Sequence, residues 1–178
     1  MEILKTDLEG VLLIHLDPFE DHRGHFVELY NRQAFFDDVW QRQPYDMHIP
    51  IEFAEDDISV SKKNVLRGIH SDSKAWKLLT CLHGTLYLVI VNCDTESESF
   101  GKWESFTLPG NSFIQVLVPP KHGVAQMVLS EIAILHYKQS EYYSLERQST
   151  YRFDDPRFGI PWPVRNPILS RRDEIGED

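Results

Sequence analysis

Cysteine is scarce. The chain has two in 178 residues, Cys81 and Cys93, and neither belongs to a Cys-x-x-Cys pair. Both lie inside apolar runs, where a free thiol acts as a small hydrophobe, so neither a disulfide nor a structural zinc is expected. Excess positive charge is missing as well. Eighteen Lys and Arg stand against 28 Asp and Glu, a formal net charge of -10, and a nucleic-acid binder needs a basic footprint that this balance does not supply. An anionic small ligand would have to be met by a local cluster of basic side chains working against the overall field. No apolar run approaches the roughly 20 residues that span a bilayer. Met1-Glu2-Ile3-Leu4-Lys5 is not a basic region leading into an apolar segment, so no membrane association is expected and the cytoplasm is the expected compartment.

What is present is a soluble, globular composition, 42% hydrophobic and 26% charged, in a chain long enough for one domain with one core. Residues 10–16 read as a first strand, and Phe26 to Tyr30 as a second by its period of two. Asn31 is a helix cap for Arg32 to Trp40, whose apolar side is Phe35, Phe36, Val39 and Trp40. From Thr85 onward short strands follow one another: Thr85 to Cys93, Lys102 to Leu108, Phe113 to Val118, Ala125 to Leu129 and Ile132 to Lys138. Turn residues separate them at Asp94 to Gly101, Pro109-Gly110-Asn111, Pro119 to Gly123 and Ser130-Glu131. Such spacing predicts an all-β sandwich or jelly roll. After Tyr143 the pattern loosens into an irregular tail, residues 144–178, closing over the core.

The stretch from Asn64 to Gly84 reads as two buried strands joined by a polar turn, with Arg67, His70 and Lys77 inside it. Ionisable groups are costly to bury without partners, so three basic side chains packed this closely point to a site for something anionic. A surface hairpin with solvated basic residues is the plainer alternative.

A wider set of residues resembles the nucleotide-diphosphate-sugar 3,5-epimerase family. Its marks are Asp21-His22-Arg23-Gly24, Phe26 to Asn31, Ser61 to His70, Phe100-Gly101-Lys102-Trp103, Tyr137-Lys138, Tyr142-Tyr143, Asp154-Asp155-Pro156, Gly159 to Pro163 and Ile168 to Asp173. Each motif is weak alone, and their order is what carries the resemblance. It implies an all-β, cupin-type jelly roll (a double-stranded β-helix) with a few short helices, spanning residues 1–178 as one domain. It also implies a homodimer with strands exchanged across the interface, a nucleoside-diphosphate 4-keto sugar as substrate, and no metal or organic cofactor.

The implied chemistry suits the residue types. Inverting a carbon beside a ketone needs a base on one face, a donor to the enolate oxygen and an acid on the other face. By resemblance His70 is the base, Asp173 its partner, Lys77 the donor and Tyr137 the acid. Arg23 and Arg67 would hold the diphosphate or sugar hydroxyls. Glu28 would line the sugar pocket, and Tyr143 would join the substrate-binding set. The Ser170-x-x-Asp173 spacing is equally that of a helix-start capping box. Tyr137 could be a core tyrosine and Lys77 a strand-edge lysine.

Two departures from the family pattern stand out. Val124 occupies the place of a second histidine, and His122, two residues early, would replace it in the substrate-binding set through a local shift. Glu55-Asp56-Asp57 stands where dTDP-sugar enzymes tend to carry Gln-Asp-Asn. Carboxylates accept but do not donate, so Glu55 and Asp57 would face a partner rich in donors, as guanine's edge is. This reading and the Gly68 to Lys74 stretch lean towards a GDP-linked heptose. The rivals are a 3,4-ketoisomerase of the same fold, a metal-dependent cupin and a non-catalytic sugar-nucleotide-binding module. An acid, a base and an oxyanion donor together favour the epimerase.

Overall fold

The computed structural model describes residues 1–39 and 51–176. Its first strands are β1 (Glu2–Lys5), β2 (Leu12–His15), β3 (Phe19–Asp21) and β4 (Gly24–Phe26), followed by helix α1 (Arg32–Asp38). Then come β5 (Glu55–Lys62), β6 (Leu66–Asp72), β7 (Lys77–His83), β8 (Thr85–Asn92), β9 (Trp103–Pro109) and β10 (Ile114–Val118). The chain ends with β11 (His122–Val128), β12 (Ile132–Gln139), a 3₁₀ turn at Leu145–Arg147, β13 (Gln148–Thr150) and α2 (Arg171–Ile175). Among the described residues the protein is therefore mostly sheet with a few short helices, and no helix is long and apolar enough to cross a membrane.

Six strands form one antiparallel sheet in the order β1-β2-β10-β7-β12-β5, and five form another, β13-β6-β11-β8-β9. The main core lies between them. Leu79, Cys81, Val116, Val118 and Leu135 from the first sheet meet Leu86, Leu88, Ile90, Phe106 and Leu108 from the second. Each outer face is covered too. Phe35 and Val39 at α1 pack with Leu12, Ile14, Leu78 and Leu117, while Tyr151 and Phe158 pack over Ile69, Val89, Val91 and Ala125. A strand such as β8, with Leu88 and Ile90 facing one way and Val89 and Val91 the other, must be apolar on both faces. That is why it reads as an unbroken hydrophobic run. Each such side chain taken fully out of water is worth about 1.5–3 kcal/mol.

The first third departs from the sequence expectation. Phe26 to Tyr30 is not a strand; a hairpin of β3 and β4 precedes it, and residues 27–30 carry no regular structure. The residues whose alternation looked strand-like pack as Val27, Leu29 and Tyr30 against the core under α1. Asn31 does cap the helix, its side chain accepting from the N–H groups of Gln33 and Ala34, and Trp40 lies outside the described residues. β1 and β5 have no counterpart in the expected strands. The tail is less irregular than expected, since β13 pairs with β6 and Ser170 starts α2.

Gly68 sits at a close approach between β6 and β11, where the pairing register shifts between Val124 and Gln126. Its φ is +123°, and a Cβ there would lie 2.5 Å from the Val124 carbonyl oxygen. Gly68→Ala is expected to lower stability by about 2–5 kcal/mol through combined strain and overpacking. Gly159→Ala, at φ +58° in open space, should cost about 1–2 kcal/mol. Urea unfolding of both variants checks the contrast.

Candidate active site

The 72–77 turn sets the floor of the site. The Asp72 carboxylate accepts from the N–H groups of Lys74 and Ala75, at 2.8 and 2.9 Å. The chain thereby reverses from β6 into β7 with Lys77 as the first residue of the new strand, buried and facing inward. Burial pushes the Lys77 ammonium below its ordinary range; nearby Asp72 opposes this and Arg172 adds to it. Its Nζ makes no hydrogen bond or ion pair among the described residues. A donor in that state is available to a ligand.

The tail supplies the opposite side. Leu66 N–H donates to the Ile168 carbonyl at 3.0 Å and Ile168 N–H to Asn64 at 2.8 Å, clipping the incoming chain to the start of β6. Two residues on, Ser170 caps α2. Its hydroxyl accepts from Asp173 N–H at 3.2 Å and donates to Asp173 Oδ2 at 2.7 Å. Asp173 Oδ1 lies 2.6 Å from His70 Nε2 and 3.4 Å from the Gly68 N–H. The capping and partnering readings of Asp173 thus hold together in one geometry. Burial alone would raise this carboxyl, but hydrogen bonds from His70 and Ser170 hold it below the usual aspartate range. With Nε2–H donating to an ionised carboxylate, His70 Nδ1 carries the lone pair.

The third wall is the β5–β12 pair. Tyr137 stands directly opposite Asp57, and Gln139 opposite Glu55. Burial, then the Asp57 and Glu55 charges, push the Tyr137 phenol up to about 12, so it stays protonated throughout the neutral range. These walls enclose a cavity of about 390 Å³ lined by Glu55, Asp57, Arg67, His70, Lys77, Tyr137, Tyr143 and Asp173. Arg67 has its Nε on Ser61 Oγ at 3.0 Å, which fixes the guanidinium and leaves its terminal nitrogens for a ligand.

Three of the expected site residues are elsewhere. Arg23 is on the exposed β3–β4 hairpin and pairs with Asp21, and Glu28 is exposed. His122 lines a separate cavity with Lys74, Trp76, Asn92 and Asp94. Its Nδ1 lies 3.1 Å from the Pro120 carbonyl and burial pushes its pKa down; Val124 lines the His70 cavity instead. Conversely, Arg172 and Gln139 line the cavity without having been singled out. Arg172 is anchored by its Nε to Thr150 Oγ1 at 2.7 Å. Its neighbour Asp173 and the period of two from Tyr137 to Gln139 were the available signals. Among the described residues no three His, Cys, Asp or Glu side chains converge as metal ligands.

An imidazole with a carboxylate partner, a phenol and an inward-facing ammonium around one cavity are side chains able to move protons beside a carbonyl. Comparison with known proteins makes that class more definite. The family model described as dTDP-4-dehydrorhamnose 3,5-epimerase matches residues 5–178. The dTDP-4-dehydrorhamnose 3,5-epimerase of Escherichia coli K12 is 35% identical over 178 residues, covering 98% of this chain and 92% of that protein. Among solved structures, the dTDP-6-deoxy-D-glucose-3,5-epimerase of Legionella pneumophila in complex with dTDP-4-keto-L-rhamnose superposes with a TM-score of 0.87 at 29% identity, covering 97% of this chain and 89% of that one. The Bacillus anthracis dTDP-4-dehydrorhamnose 3,5-epimerase with TDP and pyrophosphate bound gives 0.89 at 29% identity, covering 99% and 98%. The protein is an enzyme of the nucleotide-sugar epimerase and isomerase class. It belongs to the dTDP-4-dehydrorhamnose 3,5-epimerase family.

Asp173 carries a stability signature. Its folded pKa is depressed, so its contribution is complete above the unfolded value of about 3.9 and is lost as pH falls through the folded one. Asp173→Asn is expected to destabilise the protein by about 1–3 kcal/mol at pH 7 and by progressively less below pH ~4, as measured by urea unfolding at a series of pH values.

Proposed function

We propose that this enzyme inverts C3, C5 or both of a 4-keto-6-deoxy sugar carried on a nucleoside diphosphate, using the residues of the His70 cavity. The observation that carries the reading is the convergence of His70–Asp173, Lys77 and Tyr137, from four separate elements, on one cavity. His70 removes the proton beside the ketone, and Asp173 stabilises the imidazolium that forms. Lys77 donates to the 4-keto oxygen as it becomes an enolate. Tyr137 returns a proton to the opposite face. Arg67 and Arg172 supply the positive charge for the diphosphate, which a chain of net charge -10 must gather locally. In this reading the fold is a cupin-type jelly roll, one domain whose tail closes over the core and delivers Asp173.

The same reading includes a homodimer. β5 is an edge strand whose outward side chains Ile58 and Val60 are 63% and 61% exposed, an unprotected edge that soluble proteins ordinarily cover. Phe19 and Phe26 on the β3–β4 hairpin are also exposed. With that hairpin laid on a second copy, Arg23 and Glu28 serve the partner's cavity. Val60→Lys is expected to shift the protein towards monomer in sedimentation equilibrium, with wild type a dimer.

The chemistry is tested by incubating the protein in deuterated water with a dTDP-linked and a GDP-linked 4-keto-6-deoxy sugar and following deuterium at C3 and C5. Uptake with inversion, abolished by His70→Ala and slowed about 100- to 1,000-fold in kcat by Lys77→Met, is the expected result. The substrate that exchanges names the nucleotide. Absence of exchange with both, while either binds, overturns the reading.

A further inference from the structure

Tyr137 faces a problem that His70 does not. Each turnover strips its hydroxyl of a proton in a half-buried site next to two acidic residues, where a phenolate is disfavoured. Something must return that proton.

The β5–β12 register places a source within reach. Because side chains alternate along a strand, Glu55 and Asp57 share one face of β5, while their cross-strand partners Gln139 and Tyr137 share the facing side of β12; all four line the cavity. Gln139 Nε2 donates to both carboxyls, at 3.1 Å to Glu55 Oε1 and 3.3 Å to Asp57 Oδ2. Asp57 stands directly across from Tyr137 in the register, and the Gln139 amide draws its carboxyl and that of Glu55 together. Two carboxyls gathered on one amide repel each other when both are ionised, which favours a form in which Asp57 carries a proton. The remaining Glu55 oxygen, Oε2, accepts the backbone N–H of Tyr143 at 3.0 Å at the cavity rim. That leaves the pair fixed in place.

We propose that Asp57, sharing a proton with Glu55, is a positioning residue that acts through Tyr137 and restores the phenol proton after each transfer to the sugar. The proposal rests on Tyr137 being the acid, as assigned above. In balance, the Tyr137 O–H bond breaks as the new C–H bond forms on the enolate carbon, and the proton held by the Glu55–Asp57 pair moves to the phenolate oxygen. The pair regains a proton from solvent at the rim, and the imidazolium of His70 releases to solvent the proton it took from the sugar. No proton is gained or lost overall. The two carboxyls are thus read as part of the acid machinery, in place of contacts to a nucleobase edge.

The electrostatics agree with this placement. Burial and the neighbouring Glu55 raise the Asp57 pKa, with Tyr137 and Gln139 opposing, so Asp57 keeps a proton at pH values where an ordinary aspartate has lost it. The charged groups facing the pair are Arg67 and His70 from β6, Lys77 from β7, and Arg172 and Asp173 from α2. On the outer face of β12, His136 and Lys138 are occupied by Asp56.

The test is steady-state kinetics across pH 5–9 on wild type, Asp57→Asn and Glu55→Gln, together with the ratio of deuterium exchange to inversion. In Asp57→Asn, kcat should fall about ten- to a hundred-fold with KM within about twofold. Exchange should exceed inversion about tenfold more than in wild type, because His70 still removes the proton and can return one to the same face. Wild-type kcat should decline as pH rises through the Asp57 titration in the bound complex, since the protonated form is required. Asp57→Asn should lack that limb, and Glu55→Gln, which removes the like charge, should move it to lower pH. Wild-type rates and an unchanged pH profile in both variants overturn the proposal. Absence of exchange in wild type would instead overturn the epimerase reading beneath it, so the two failures are distinguishable.

Discussion

The hydrogen bond between His70 and Asp173 joins residues 103 apart in sequence, and much of the molecule is arranged so that it can form. His70 is held by β6, itself paired with β11 and β13. Asp173 arrives only because the tail is clipped at Ile168, turned by the Ser170 cap and laid against Gly68, the one residue type that fits there. A shift in any of these would leave a buried carboxylate short of partners, an arrangement that costs several kcal/mol. The tail is therefore part of the wall of the His70 cavity as well as a cover for the apolar outer face of the second sheet.

Legibility in the sequence followed solvent exposure of each strand's faces. β7, β8, β10 and β12 are covered on both faces or nearly so, and their apolar runs announce them. β5 was not readable in this way. Its inward side chains, Glu55, Asp57, Ser59 and Ser61, are polar because they line the cavity or support it, and its apolar Ile58 and Val60 point outward. A pattern that normally marks the inside marks the outside there, so hydrophobic periodicity has nothing to recognise. The Val27 to Tyr30 segment shows the converse, with side chains packed beneath α1 without a strand to hold them.

The site itself was legible in proportion to its dependence on local motifs. His70, Lys77, Arg67, Tyr137 and Asp173 each sit in a short recognisable stretch, and the fold gathers them into one cavity. Arg23 and Glu28 sit in an equally recognisable stretch, yet lie outside that cavity in the single chain, on and just after the exposed β3–β4 hairpin. His122 was drawn towards the site by residue type alone. Its strand position, opposite Asn92 at the start of β11, takes it into a different cavity.

Two carboxyls of this site have opposite environments. Asp173 is met by three donors, from His70, Ser170 and the Gly68 backbone, and these overcome the burial that would protonate it. Asp57 is met by one shared amide and by another carboxyl, so burial and like charge prevail and push its pKa up. Environments that push paired acids apart in this way separate the basic from the acidic half of a proton-transfer site. In the proposed mechanism the carboxyl pushed down stands behind the imidazole that accepts a proton, and the carboxyl pushed up stands behind the phenol that gives one. An inversion requires such asymmetry across the plane of the enolate. In this chain it is set by the number of donors each carboxyl meets, fixed by the α2 cap on one side and the β5–β12 register on the other.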